Sequence, residues 1–208
     1  MKGKFITFEG AEGSGKSTQI DLAHQYLKKQ GLPVLFIREP GGVKISEKIR
    51  KILLDVRHTT MGDECETLLY MAARAQLVQE VIIPELKKGS VILCDRFLDS
   101  TMAYQGYGNG VDLKIIRQIG LFATSGMKPD LTLIFDIDAK EGLSRIQREK
   151  DRIERRAIIY HEKVRQGYLA LQKKEPRRIK VIRVNGSKEE IQIKVQKYLN
   201  RLLNLKET

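Results

Sequence analysis

Five short apolar runs punctuate the chain: KFITFE (4–9), PVLFIRE (33–39), SVILCD (90–95), DLTLIFDI (130–137) and KVIRV (180–184). Each is continuous rather than alternating, the pattern of a strand buried on both faces of a parallel sheet. Between them the period changes. Ile20, Ala23 and Leu27 recur at helical spacing and stop at Gly31, a residue common just past a helix end. Toward the C-terminus, SKEE offers Ser187 as a cap with Glu190 reaching back, and Ile191, Val195, Tyr198 or Leu199, and Leu202 follow on one face. This alternation predicts a three-layer α/β fold, a five-stranded parallel sheet flanked by helices, with right-handed crossovers and a ligand site at the carboxyl ends of the strands. No repeat, low-complexity tract or linker interrupts it. Residues 1–208, 41% of them hydrophobic, read as one domain with one well-buried core.

Composition narrows the partners. The chain has 38 Lys and Arg against 26 Asp and Glu, a formal charge of +12, which favours anionic ligands. The excess is concentrated: residues 140–183 hold 15 basic and 6 acidic side chains. Cys65 and Cys94 form no ligand spacing, so reduced, structural thiols are expected. The apolar stretch in MKGKFITFEG is too short for a signal segment, and no run approaches the ~18 apolar residues of a membrane span. A cytoplasmic protein with no membrane partner is the expectation.

The first strand runs into FEGAEGSGKSTQ (8–19). Gly10, Ala11, Glu12, Gly13, Ser14, Gly15, Lys16 and Ser17 fit G-x4-G-K-[ST], between a strand and a helix as the mechanism requires. Glycines let successive N–H groups point at a phosphate, and the helix N-terminus adds partial positive charge. Lys16 then reaches the β- and γ-oxygens, Ser17 ligates Mg²⁺, and Thr18 completes the ATP-binding residues. A nucleoside triphosphate site of this kind serves motors, switches and small-molecule kinases alike. GTP switches usually carry N-K-x-D, whereas the four asparagines here stand in NGVD, NGSK, NRLL and NLKE.

The rest of the chain decides between them. REPGG (38–42) and DRFLDSTMAYQGYGNG (95–110) close the second and third apolar runs, where the site belongs. Asp95 ends its strand like a magnesium-holding carboxylate, and Arg96 beside it can grip a further phosphate. Arg74 sits in LLYMAARAQLV, an otherwise apolar helical stretch, so a buried polar partner or ligand is expected for it. His24, His58 and His161 are scattered and read as structural.

Taken in order, FEGxEGxGKST, REPGG, LLYxAARAQ, DRFxDSTxAYQG and DRIE resemble bacterial thymidylate kinase, a P-loop nucleoside monophosphate kinase, over residues 4–170. The resemblance implies a P-loop kinase fold with a small helical lid, ATP and dTMP as substrates, Mg²⁺ as cofactor and a homodimer, with an apolar helix at Leu68 to Val81 available as interface. It implies that Glu12 approaches the deoxyribose, Tyr70 stacks on thymine, and Arg74 and Thr101 read the base. Tyr104 closes the space at C2′ with Ser100 and Gln105 nearby, Arg96 binds the acceptor phosphate, and Arg38, Glu39 and Pro40 form the loop beside it. The lid, about 144–156, carries Arg145, Arg148, Arg152, Arg155 and Arg156 between two helical stretches. Because Glu12 and Ser14 leave the P-loop without an arginine, Arg148 and Arg152 are the candidates for transition-state charge, whereas Arg155 and Arg156 suit a solvated face. Three positions depart from the family's usual residues: Val43 for threonine, Asn109 for arginine and Arg156 for an acidic residue.

Three readings remain, and a kinase for another nucleoside monophosphate is the nearest rival within the fold to the first of the two that follow. Phosphoryl transfer from ATP to dTMP uses every motif, with Lys16, Arg96, Arg148, Arg152 and Glu12 as catalytic residues and Ser17 and Asp95 at the metal. A nucleic-acid-binding ATPase is permitted by the charge, but the chain lacks interleaved aromatic and basic residues, and no nucleic-acid partner is expected.

Overall fold

The computed structural model describes residues 2–205. All five apolar runs are strands: β1 Lys4–Gly10, β2 Val34–Arg38, β3 Val91–Asp95, β4 Leu131–Asp136 and β5 Ile179–Arg183. They pair in parallel throughout, in the order β2-β3-β1-β4-β5. β3 and β4 are buried along nearly their whole length, which explains why their sequences show no alternation.

The helices are α1 Lys16–Lys29, α2 Lys44–Leu54, α3 Asp63–Leu77, α4 Ile83–Lys87, α5 Leu98–Thr101, α6 Leu113–Ala123, α7 Ala139–Ser144, α8 Ile158–Lys174 and α9 Lys188–Leu203. α9 begins with the anticipated capping box, the Ser187 hydroxyl accepting from Glu190 N while the Glu190 carboxylate accepts from Ser187 N. Of the two alternatives on its inner face, Leu199 is buried and Tyr198 only half-buried. α3 passes into α4 through a π-turn at Val78–Ile82, where Pro84 has no N–H to donate to Glu80. A second π-turn, Met102–Gly108, prolongs α5 and carries Tyr104 and Gln105.

Helices cover both faces of the sheet. On one face Ile6, Phe8, Leu133 and Phe135 pack against Ile20 and Leu27 of α1 and Val195 and Leu199 of α9. On the other, Phe5, Ile92 and Cys94 meet Leu77, Val78 and Ile82, while Ile134 and Ile179 meet Ile116, Val164 and Tyr168. Each such fully buried aliphatic or aromatic side chain stabilises the fold by ~1.5–3 kcal/mol. Val43 joins this second layer, leaving α2 with no side-chain cap. Cys94 is buried, Cys65 is exposed, and both are free.

The lid departs from a helical interior. Two helices bracket it, α7 and α8, but residues 145–157 form turns and bends. The Asp151 carboxylate accepts from Ile153 N and Glu154 N, and Glu154 in turn receives Arg148 and Asp151 N, local bonds that compete with a helical ladder.

Candidate active site

The glycine loop leaves β1 at Gly10 and enters α1 at Lys16. At Gly13 no larger residue fits: its φ is +66°, and a Cβ there would lie 1.9 Å from Gly142 O. Gly142 is equally constrained, since its Cβ would lie 2.3 Å from Glu12 O, so α7 rests backbone on backbone against the loop. The first turn of α1 holds no acidic residue, leaving its N–H groups and helix dipole to an anion. Lys16 Nζ donates to Gly10 O at 3.2 Å and Ala11 O at 3.3 Å. Burial, then Arg96, lowers the Lys16 pKa, against the pull of Asp95, Glu12 and Glu9.

Arg96 follows β3 at φ 69°. Its Nη1 donates to Gly10 O at 3.0 Å and its Nη2 to Glu12 Oε1 at 2.7 Å. The same Glu12 oxygen accepts from the Tyr104 hydroxyl at 2.7 Å, and the guanidinium stands over the Tyr104 ring. Burial alone would raise the Glu12 carboxyl, but Arg96 and Lys16 overcome it and hold it down at about 2. The phosphate loop and the segment after β3 therefore share one ionised carboxylate.

Arg74 has the buried partners its apolar surroundings require. Its Nε donates to Glu39 Oε2 at 2.7 Å and its Nη1 to Thr101 Oγ1 at 3.0 Å, with both charged side chains almost wholly buried. Arg38 pairs with Glu47 at the rim, and Arg50 donates to Pro40 O at 2.9 Å.

Asp95 Oδ1 is buried without a hydrogen-bond partner, and so is Ser14 Oγ in the loop facing it. An orphaned carboxylate oxygen beside a phosphate-binding loop fits a hard divalent cation that takes a few protein oxygens and completes its shell with phosphate and water. Among the described residues no cluster of three or more metal-binding side chains occurs.

These groups converge on one cleft of about 440 Å³. Residues 12–18 of the loop line it together with Arg38, Glu39, Pro40, Tyr70, Arg74 and Arg96. Asp95, Ser100, Thr101, Tyr104, Gln105 and Arg148 line it as well. Gly10 and Ala11 lie beneath the loop and contribute the carbonyls that hold Lys16.

Two lid expectations need correction. Arg152 does not line the cleft: its Nη2 donates to Glu66 Oε2 at 2.6 Å and its Nε to Leu53 O at 2.8 Å. Arg156 is not on a solvated face either, because it reaches the same Glu66 oxygen at 2.7 Å and covers the Tyr160 ring. Both are drawn inward by Glu66, a fully buried carboxylate that needs cations to be tolerated. Arg155 stays exposed, donating to Lys150 O.

The motifs also missed Glu9, Glu66, Gly142 and Arg50. Glu66 had one signal, an acid in the first turn of an apolar helix, but that position equally suits the helix dipole. Arg50 was hidden among Lys44, Lys48 and Lys51 of the same helix.

Comparison with known proteins agrees with this geometry. A family model described as thymidylate kinase matches residues 8–195. The chain is 47% identical over 207 residues to the thymidylate kinase of Pelotomaculum thermopropionicum, covering 98% of this chain and 96% of that protein. It is 46% identical over 195 residues to that of a Geobacillus strain, covering 92% and 93%. The crystal structure of thymidylate kinase from Ehrlichia chaffeensis superposes with a TM-score of 0.80 at 32% identity, over 96% of this chain and 100% of that one.

Proposed function

The chain belongs to the thymidylate kinase family, which transfers a phosphoryl group from ATP to dTMP, giving dTDP in dTTP synthesis, and from that premise we propose how its residues divide the work. The loop from Gly10 to Ser17, with Thr18, takes the ATP phosphates on backbone N–H groups and the α1 N-terminus. Lys16 turns from the Gly10 and Ala11 carbonyls to the β- and γ-oxygens. Ser17 and Asp95 hold Mg²⁺, which supplies charge neutralisation on the phosphates.

On the acceptor side, Arg96 grips the dTMP phosphate with Arg38 nearby. Tyr70 stacks on thymine, and Arg74 with Thr101 reads the base edge, Glu39 keeping the guanidinium in place. Tyr104 crowds C2′ while Glu12 meets the deoxyribose, and Ser100, Gln105 and Pro40 complete the wall. A phosphate monoester already offers a nucleophilic oxygen, so the residues need only hold donor and acceptor in line and neutralise developing charge. Arg148 is the lid cation for that charge; Arg152 is an anchor of the lid.

The observation that carries this assignment is Glu12, a phosphate-loop carboxylate bonded at 2.7 Å to both Arg96 and Tyr104 of the acceptor segment. ADP formation should be followed with ATP and Mg²⁺ against dTMP, dUMP, dCMP, dGMP, dAMP and UMP. Turnover dominated by dTMP, with Arg74→Ala chiefly raising its KM, is the expected result. Failure of every monophosphate to stimulate turnover would reduce the chain to an ATP-binding protein.

We further propose that residues 1–208 act as one domain, in the cytoplasm, as a homodimer. α3 and α6 leave apolar side chains in water, with Leu68 54%, Leu121 60% and Phe122 87% exposed, and a second copy is the occupant that this face suits. Light scattering on the purified chain should give twice the monomer mass, and Phe122→Glu should lower it.

A further inference from the structure

Glu9 lies in β1, fully buried, and none of the roles assigned above uses it. Its bonds all lead to Arg96. Glu9 Oε1 accepts from Phe97 N at 2.8 Å, next to Arg96, whose φ of 69° a non-glycine residue holds only with support from its surroundings. Glu9 Oε2 accepts from the Ser100 hydroxyl at 2.5 Å and the Tyr168 hydroxyl at 2.9 Å. When Glu9 is ionised and their hydrogens are directed to it, those hydroxyls turn lone pairs toward Arg96 Nη1, 3.1 Å from Tyr168 Oη and 3.3 Å from Ser100 Oγ. The other terminal nitrogen is held by Glu12.

We propose that Glu9 and Tyr168 are positioning residues for phosphoryl transfer: acting through the Ser100 and Tyr168 hydroxyls, Glu9 fixes the Arg96 guanidinium in the orientation that receives the acceptor phosphate. A guanidinium oriented before substrate arrives spares the ordering cost of a long side chain on binding. Tyr168 comes from α8, the helix after the lid, so one hydroxyl joins that helix to the strand carrying the phosphate loop. The Tyr168 ring, 1% exposed and edge-on to Tyr104 at 6.2 Å, fills the core without the hydroxyl's help. The proposal rests on the assignment of Arg96 to the dTMP phosphate.

A double-mutant cycle tests it. Wild type, Tyr168→Phe, Arg96→Ala and the double variant are compared with dTMP and ATP varied in turn, alongside urea unfolding of each. Tyr168→Phe should lower kcat/KM for dTMP by roughly 10-fold and leave the KM for ATP within about 2-fold. Arg96→Ala should lower kcat/KM for dTMP by at least roughly 100-fold, and Tyr168→Phe should then add no further loss. Glu9→Gln, which keeps the shape but puts an NH₂ donor among the hydroxyls, should reproduce Tyr168→Phe. If Arg96→Ala impairs dTMP use but Tyr168→Phe costs the same in both backgrounds, the coupling is wrong while the Arg96 assignment stands. Unaltered dTMP kinetics in Arg96→Ala would overturn that assignment and the proposal with it. A Tyr168→Phe chain that changes only in its unfolding midpoint would make the hydroxyl structural.

Discussion

Asn109 and Arg156, 47 positions apart in the chain, touch: Arg156 Nη1 donates to Asn109 Oδ1, while Asn109 Nδ2 and Arg156 Nη2 reach the Glu66 carboxylate at 3.2 and 2.7 Å. Each is a position where the residue departs from the family's usual one, arginine at 109 and an acid at 156. In contact they form one unit around the buried Glu66 carboxylate, to which Arg156, beside Arg152, is a positive partner. Changing half of it should be costly. Arg156→Glu would set a second carboxylate against a fully buried one, and about 3 kcal/mol of stability should be lost. Asn109→Arg added to it should restore most of that in urea unfolding. A double variant no more stable than the single one would show that the two departures are independent.

The acid response of stability should isolate Glu9. Its carboxyl is pushed up to about 7, by burial first and Asp99 second, against the pull of Ser100, Arg96 and Tyr168. Its ordinary value is 4.5. Between those values the native chain keeps a proton that the unfolded chain has released, so stability falls as pH rises through that window. The slope is up to about 1.4 kcal/mol per pH unit. Glu39, raised likewise to about 7 by burial against the pull of Arg74, adds a slope of the same sign. The comparison of wild type with Glu9→Gln, which has no proton to lose, removes that background. The stability difference between them should change by roughly 2–3 kcal/mol between pH 5 and pH 7.5 in urea unfolding. Parallel curves would exclude Glu9 as a titrating group.

The strands and the helices α1, α3 and α9 were legible because apolar runs, helical spacing and a capping box are local signals, although the edge strands β2 and β5 are only partly buried. The phosphate loop was legible for the same reason, its eight positions being contiguous. Arg74 was found by contradiction, a cation in an apolar helix, and its partners Glu39 and Thr101 lie where the sheet ends bring them. What failed was the direction of side chains in the lid. Arg148, Arg152 and Arg156 look alike in sequence, and their fates are set by Glu154 and by Glu66, which lies some 90 residues away. Glu9 was passed over because a glutamate before a glycine loop looks like a polar strand end, whereas its hydrogen-bond partners come from residues 97–168.

Gly142 should be as intolerant of a side chain as the phosphate loop itself. The backbone of α7 lies so close to the loop that alanine there would bring its Cβ to 2.3 Å from Glu12 O, well inside any permitted contact. Because the obstructing atom is backbone, relief requires the loop and α7 to separate. Gly142→Ala should therefore raise the KM for ATP by roughly 10-fold and lower stability by ~1–3 kcal/mol. Wild-type values for both would mean that α7 and the loop can part freely.

Asp95 offers the sharpest test of the metal assignment, because one of its oxygens is buried with nothing to bond to. An unsatisfied buried carboxylate oxygen is costly unless a ligand uses it, and the proposed cation, brought in with the phosphates, would use this one. Asp95→Asn keeps the volume, removes the charge and breaks no hydrogen bond at that oxygen. The half-saturating Mg²⁺ concentration at fixed ATP should rise roughly 10- to 100-fold. Ser17→Ala, which removes a neutral ligand, should raise it less. Stability should move little, within about 1 kcal/mol, since the lost group stabilises the loaded state rather than the fold. An Asp95→Asn chain with the wild-type Mg²⁺ dependence would place the cation on other oxygens, and Glu12, a phosphate-loop carboxylate that also lines the cleft, would be the next residue to change.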